Sequence, residues 1–196
     1  MELIFNNQLS IFEDIFYKYL TSKQCIKFYS YNKILYNIYI NNNKFESNYF
    51  TPKDRIELEL AVNEWCSNKE EAILKYGNIG YWNTIYIVDM NHLFYNKKEF
   101  NDNIEDWNTS NIINISCMFS NAVSFNQPLN NWNTSNVQTM YCMFYNATSF
   151  NQSLNNWNIN NVTYMQGMFY NANSFNLDNC KNWDLTNIKE KRIMFK

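Results

Sequence analysis

Large apolar residues recur along the C-terminal part of the chain at a fixed interval of 25 residues. The two clearest columns are Trp82, Trp107, Trp132 and Trp157, and Phe100, Phe125, Phe150 and Phe175. Further apolar columns that begin at Ile87, Leu93 and Phe94 keep the same step. Such self-similarity is typical of repeat proteins, whose units bury their apolar faces on copies of themselves. We therefore expect these columns to form the core of a stack of coils.

Within one unit the apolar spacing changes, and the change predicts two kinds of local structure. Val137, Met140 and Met143 recur at three to four residues, as on a helical turn. Phe150 and Leu154 then lie in a stretch that the pattern predicts to be extended. The sequence thus predicts an α/β repeat solenoid with about 25 residues per coil, in which parallel strands stack about 4.8 Å apart.

Asparagines keep the same register as the apolar columns. They form three columns: Asn83, Asn108, Asn133 and Asn158; Asn101, Asn126, Asn151 and Asn176; and Asn96, Asn121, Asn146 and Asn171. An amide side chain both donates and accepts hydrogen bonds. We therefore expect these columns to satisfy the turn backbones of the coils above and below.

The repeat sequence carries a family signature. The segment FNQPLNNWNTSNVQTMYCMFYNATSF, residues 125–150, resembles the BspA-like leucine-rich-repeat family, and EAILKYGNIGYWNT resembles the lead-in to its repeats. The resemblance covers about residues 55–196 and implies a curved solenoid used for protein contact. In the last unit Cys180 replaces a leucine and Lys191 enters a methionine column, which is typical of a C-terminal cap.

Two helices are predicted between the N-terminal segment and the repeats. Thr51 as N-cap and Pro52 at the first helical position begin a helix that runs to about Trp65. A second helix begins at about Lys69 and ends at Gly77 as its C-cap. The predicted organisation is a helical module over residues 1–50, a helical cap over 51–81 and the repeat solenoid over 82–196.

The N-terminal segment has a helical rhythm and resembles an F-box in its KYL, SKQCIKF and NKILYN steps, although Ser10 stands where the family has proline. The resemblance implies docking to the adaptor subunit of a cullin-type ubiquitin ligase. The residues that it assigns to docking are Ile11, Ile15, Phe16 and Leu20. In the alternative interpretation, the same residues only close a small three-helix core.

Composition excludes several classes of function. The chain has 16 Lys and Arg against 18 Asp and Glu, so no basic surface for nucleic acid is expected. No apolar run approaches the length that spans a bilayer, and the N-terminus lacks the features of a secretory signal. Five scattered cysteines are typical of reduced thiols, so we expect an intracellular protein.

The sequence contains few residues suited to catalysis or metal binding. It contains 1 His and 3 Gly, so neither a histidine-based metal site nor a glycine-rich phosphate loop is expected, and no cofactor is predicted. His92, Cys117, Cys142 and Gly167 form one column, but a line of ligands does not make a tetrahedron. The Trp column could stack single-stranded bases, but without a basic groove it is predicted to be core.

The sequence therefore predicts a non-enzymatic protein that binds other proteins. The leading hypothesis is an adaptor whose helical module holds a ubiquitin ligase and whose repeats hold the target. A stand-alone binding protein with merely capping N-terminal helices, and a surface adhesin of bacterial type, are the alternatives. The target and the oligomeric state stay open.

Overall fold

The computed structural model describes residues 50–186 together with Ile188 and Met194. The chain divides into two units, Met1–Asn48 and Tyr49–Lys196, and all described residues belong to the second. The division predicted at residues 50 and 81 stays a prediction.

Helix α1 spans Arg55–Ser67 and buries Leu58, Ala61, Val62 and Trp65. Its N-cap is Asp54, whose carboxylate accepts a hydrogen bond from the Glu57 amide at 2.9 Å. The predicted start at Thr51 and Pro52 is therefore wrong. A Thr-Pro pair and an aspartate are both signals for the start of a helix, and Asp54 lies three residues after Thr51. The aspartate side chain is the one that satisfies an amide of the first turn.

Helix α2 spans Lys69–Tyr76 and follows α1 after the single residue Asn68, which caps it. The predicted C-cap is confirmed, because Gly77 ends the helix with a φ of 70°. The two helices are joined at Glu64, which accepts hydrogen bonds from Lys75 Nζ at 2.9 Å and from the Tyr76 hydroxyl at 2.8 Å.

The helices pack on the first tryptophan of the repeats. Trp82 packs edge-to-face with Trp65 of α1, at 5.8 Å between ring centroids, and with Tyr76 of α2, at 5.7 Å. Phe50 lies 5.2 Å from the same ring, and its carbonyl accepts from the Asn83 amide at 3.0 Å. Trp82 is thereby buried to 2% exposure at the end of its column.

The predicted α/β fold class is wrong. Between residues 82 and 186 the structure contains neither an α-helix nor a strand, and no sheet forms in the part of the chain that it describes. Backbone pairing of the sheet type is limited to isolated parallel bridges, Asp89 to Asn114, Asn114 to Thr139 and Thr139 to Tyr164. Two short 3₁₀ turns, Ile79–Tyr81 and Leu177–Cys180, flank the repeats.

The segment predicted to be helical consists of consecutive β-turns. Carbonyls accept from the third residue along in the pairs Met140 to Met143, Cys142 to Tyr145 and Phe144 to Ala147, at 3.1–3.2 Å. Cys142 and Asn146 have φ values of 51° and 60°, which are left-handed. A right-handed α-helix cannot continue through residues of this conformation. Apolar side chains therefore recur at three to four residues without a helix.

The amides that do not close turns join neighbouring coils. Cys142, Phe144 and Asn146 donate to the carbonyls of Gln166, Met168 and Tyr170 at 2.7–2.9 Å. The extended stretch that follows is joined differently, because the Asn151 amide donates to the side chain of Asn126 at 2.9 Å. Some amides of this stretch do pair with the backbone, as that of Leu154 does with the Asn179 carbonyl at 2.7 Å, but no sheet forms in it.

The core consists of aromatic rings stacked between coils. Trp132 and Trp157 lie 6.3 Å apart with an angle of 1° between their planes, and Phe125 and Phe150 lie 6.0 Å apart. Within one coil, Phe144 stacks on Phe150 at 3.9 Å. Among the described residues no helix has the length and apolarity that a membrane crossing requires.

Candidate functional site

One surface of the repeats is built from the segment of each coil whose amides donate hydrogen bonds to the neighbouring coil. It consists of the exposed and half-buried side chains of residues 88–96, 113–121, 138–146 and 163–171, and we refer to it as the ladder face. Its backbone is fixed on both sides, by the turns within a coil and by the hydrogen bonds to the next coil. The side chains of the ladder face therefore start from a rigid support.

An asparagine column runs along the ladder face as a chain of amide hydrogen bonds. Asn121 Nδ2 donates to Asn96 Oδ1, and Asn146 Nδ2 donates to Asn121 Oδ1, both at 2.8 Å. Asn171 continues the chain onto Asn146. All four residues have a φ of 58–61°, a conformation that asparagine adopts more readily than most residues. This column bridges neighbouring coils through side-chain amides and not through the turn backbone as predicted. The predicted backbone contact is made by the column of Asn101, Asn126 and Asn151, whose side chains accept from the amide of the equivalent asparagine in the next coil.

Tyrosines supply the large exposed side chains of the later coils. Tyr141 is 46% exposed and Tyr164 is 49% exposed. The rings of Tyr145 and Tyr170 stack at 5.0 Å with an angle of 8° between their planes. Because these residues belong to adjacent coils, they place aromatic area and hydroxyl groups side by side.

The repeats are free of charge over a long stretch. From Trp107 to Asn176 the sequence contains no Asp, Glu, Lys, Arg or His. The ladder face accordingly carries amide, hydroxyl, thiol and aromatic groups over its last three coils. Contacts made there depend on shape, burial and neutral hydrogen bonds instead of ion pairs.

The column of His92, Cys117, Cys142 and Gly167 has a common backbone cause. All four residues have positive φ, from 51° to 64°. The Cys142 sulfur sits over Gly167, where an added Cβ would come within 2.9 Å of it. Left-handed backbone and close coil spacing thus define this column.

The thiols of this column are poor ligands at neutral pH. Burial above all, and then the proximity of Cys142 with its hydrogen bond, raise the pKa of the Cys117 thiol to about 11. Burial also raises the pKa of Cys142. Thiolates, not thiols, bind metal ions, and both side chains stay protonated. Within the described part of the chain, no three His, Cys, Asp or Glu side chains are grouped to hold a metal ion.

The tryptophans and phenylalanines lie in the interior and not on the ladder face. Trp82, Trp107, Trp132 and Trp157 are 2–4% exposed, Phe100, Phe125 and Phe150 are 0–5% exposed, and Phe175 is half-buried. The indole N–H groups of the later tryptophans reach back to the preceding coil. Trp132 Nε1 donates to the Ile104 carbonyl at 3.1 Å, and Trp157 Nε1 donates to that of Leu129 at 2.8 Å. These rings are therefore not available to stack on nucleic-acid bases.

The asparagines that follow each tryptophan do not bridge coils as expected. Asn108 and Asn133 accept from the amides two residues along, Ser110 and Ser135, at 3.1 Å. A short polar side chain can close its own turn in this way, and the sequence does not distinguish the two uses.

Sequence reasoning missed a further bridging column. Asn111 Nδ2 donates to the Ile85 carbonyl at 2.8 Å, and Asn136 Nδ2 donates to the Ser110 carbonyl at 2.7 Å. Asn161 repeats the contact with Ser135 at 2.6 Å. The 25-residue spacing of these asparagines was a signal, but the abundance of asparagine concealed it.

The residues predicted to dock a ligase, Ile11, Ile15, Phe16 and Leu20, lie outside the described residues. The structure therefore does not bring them together with the ladder face or separate them from it.

Comparison with known protein families gives a match for the repeats. A family model described as "Mycoplasma protein of unknown function, DUF285" matches residues 63–183 and 149–196, which together exceed half of the 196 residues. No curated protein and no solved structure matches the chain.

Proposed function

The chain belongs to the Mycoplasma protein family DUF285, whose function is unknown, and we propose that it is a non-enzymatic protein that binds other proteins through its ladder face. The proposal rests on one observation above all. Between Trp107 and Asn176 the chain presents exposed tyrosines and amides on a fixed backbone and no charged side chain.

Tyrosine suits protein recognition because it has a large contact area and few rotatable bonds. Aromatic residues are enriched in the centres of protein interfaces, whereas charged residues are depleted there. The backbone of the ladder face is already ordered by hydrogen bonds on both sides, so binding costs little conformational entropy. Tyr141 and Tyr164, each about half exposed, are the expected anchors.

Capture of a partner from cell extract by the full chain, followed by titration with the purified partner, tests the proposal. The double variant Tyr141→Ala, Tyr164→Ala should weaken binding by about 100-fold, because two anchors of at least about 1.4 kcal/mol each are lost. Tyr86→Ala is the matched control, since Tyr86 is 66% exposed but lies outside the ladder face. Equal affinity of both variants would contradict the proposed surface.

Salt dependence gives an independent readout. Because this part of the repeats has no charges, affinity should change less than about two-fold between low and physiological ionic strength. An affinity that falls steeply with salt would place the partner on the charged helices and first coil instead.

The finer resemblances extend the proposal. The BspA-like repeat pattern is that of proteins used for contact, and the F-box-like segment would make the chain a substrate-recruiting adaptor of a cullin-type ubiquitin ligase. Ile11, Ile15, Phe16 and Leu20 would then dock the ligase subunit while the ladder face holds the target.

A pull-down from a eukaryotic cell extract tests this extension. The full chain should capture cullin-ligase subunits, and a chain that begins at Tyr49 should not. If both chains capture the same target and neither captures a ligase subunit, the protein is a stand-alone binder. Binding only to intact cell surfaces would favour the adhesin alternative.

A further inference from the structure

A cleft of about 640 Å³ lies where the corner between α1 and α2 meets the first coil of the repeats. The residues that line it include Trp65, Lys69, Lys97, Lys98, Phe100 and Asp102. Its volume falls in the range of small-molecule and side-chain sites, about 300–1,000 Å³. The ladder face and the proposed function leave this cleft unexplained.

One wall of the cleft is held by a single carboxylate. Asp102 accepts from the Trp65 indole at 2.8 Å and from Lys69 Nζ at 2.5 Å. The Lys69 ammonium also lies 5.1 Å from the centre of the Trp65 ring. The charges of Asp102 and Lys69 therefore offset each other, and Trp65 is fixed in place.

The lining also carries two lysines that have no such ion-pair partner among the described residues. In the part of the chain that the structure describes, the ion pairs engage Arg55, Lys69 and Lys75 and leave Lys97 and Lys98 out. Their backbone is set by the left-handed Asn96 and by the bond from the Lys97 amide to the Phe94 carbonyl at 3.1 Å. Exposed Glu99 is the one acidic residue beside them, which leaves the lining with one positive charge in excess.

These lysines break the repeat pattern next to the cleft. The positions equivalent to Lys97 are Ala122, Ala147 and Ala172, all buried. The position of Asp102 is taken by Gln127 in the next coil and Gln152 in the one after. Lys97 is half-buried, so part of its chain packs where the later coils hold an alanine, while its ammonium stays at the surface. The repeats from Trp107 to Asn176 contribute no negative charge to offset it.

We propose that this cleft binds a carboxylate attached to an apolar group, as in an acidic peptide segment. Lys97 and Lys98 bind the carboxylate, while the apolar part rests on the small exposed edges that Trp65 and Phe100 leave in the lining, 3% and 5% of each residue. A single excess positive charge matches a carboxylate monoanion better than a phosphate dianion. The proposal concerns a different surface from the ladder face and stands without the function proposed for that face.

The test compares two probes that differ only in charge, N-acetylphenylalanine and its uncharged primary amide, with the full-length protein. The indole N–H signal of Trp65 in a nitrogen–proton NMR spectrum reports binding, because this group faces the cleft and donates to Asp102. The acid should shift that signal saturably and bind at least about ten-fold more tightly than the amide, as expected for a charge-assisted contact.

Variants locate the charge that is responsible. The pair Lys97→Gln, Lys98→Gln should lower the affinity for the acid to that for the amide, and Lys181→Gln, an exposed lysine away from the cleft, should leave it unchanged. Thermal unfolding of each variant checks the fold. Equal affinity for acid and amide, no saturable shift with either probe, or tighter binding of inorganic phosphate than of the acid would overturn the proposal.

Discussion

Two residues in each coil have positive φ, and the identity of their side chains sets the conformational cost of forming the coil. The second of these two positions along the chain is asparagine in every described coil. The first is His92, Cys117, Cys142 or Gly167. The left-handed conformation costs most L-residues about 1–2 kcal/mol. Asparagine lowers that cost, and its amide also joins the neighbouring coils.

Substitution of Asn146 separates these two contributions. Asn146→Gly keeps the backbone conformation and loses the amide bonds, so it should cost about 1 kcal/mol. Asn146→Ala adds the strain of a φ of 60° and should cost about 2–3 kcal/mol. Urea unfolding measures both variants. Equal losses would mean that backbone strain contributes nothing.

Trp132 belongs to the buried column and is 3% exposed. Trp132→Ala should lower the free energy of unfolding by about 3–5 kcal/mol, because the ring leaves a large cavity. Trp132→Phe keeps most of the aromatic ring and only leaves the Ile104 carbonyl without its donor, so it should cost less stability than the alanine variant. A loss below about 1 kcal/mol for the alanine variant in urea unfolding would contradict the burial of this column.

At the scale of elements, the start of α1 can be tested at its cap. Asp54→Ala removes the acceptor of the Glu57 amide and should lower stability by about 1 kcal/mol. Asp54→Asn keeps an acceptor oxygen and serves as the matched control, with little change expected. Thermal unfolding of the two variants measures the difference. If both variants were as stable as the wild type, the helix would begin elsewhere.

The contact between α1 and α2 should depend on pH. Hydrogen bonds from Lys75 and Tyr76 lower the pKa of Glu64 below its ordinary value of 4.5. A carboxyl with a lowered pKa in the folded state stabilises the protein above pH 4.5, and this contribution is lost as pH falls through the lowered value. The stability difference between wild type and Glu64→Gln should therefore shrink below pH 4.5. A difference independent of pH would contradict the contact.

The sequence predicts the repeated positions well and the backbone conformation between them poorly. The 25-residue columns identify Trp132 and Phe125, both of which are buried. A spacing of three to four residues is common to a helix and to consecutive β-turns, so Met140 and Met143 were assigned to the wrong element. The positive φ of Cys142 interrupts the helix between these two methionines, and a cysteine in the sequence gives no signal for that conformation.

At the scale of the whole molecule, the division of the chain at Asn48 and Tyr49 predicts an independent second unit. A chain that begins at Tyr49 should unfold cooperatively in urea. A chain that begins at Pro52 lacks Phe50, which contacts Trp82 and accepts from the Asn83 amide, so it should be about 2–4 kcal/mol less stable. Collapse of the first chain would contradict the independence of this unit.

The hydrogen bonds between coils run along the stack, and this direction has a mechanical consequence. A force that pulls the two ends of the repeats apart loads the bonds of one interface in line, so the outermost coil detaches while the others hold. Each detached coil of 25 residues releases about 80–90 Å of chain. Stretching a single molecule should therefore give a series of equal extensions at similar force.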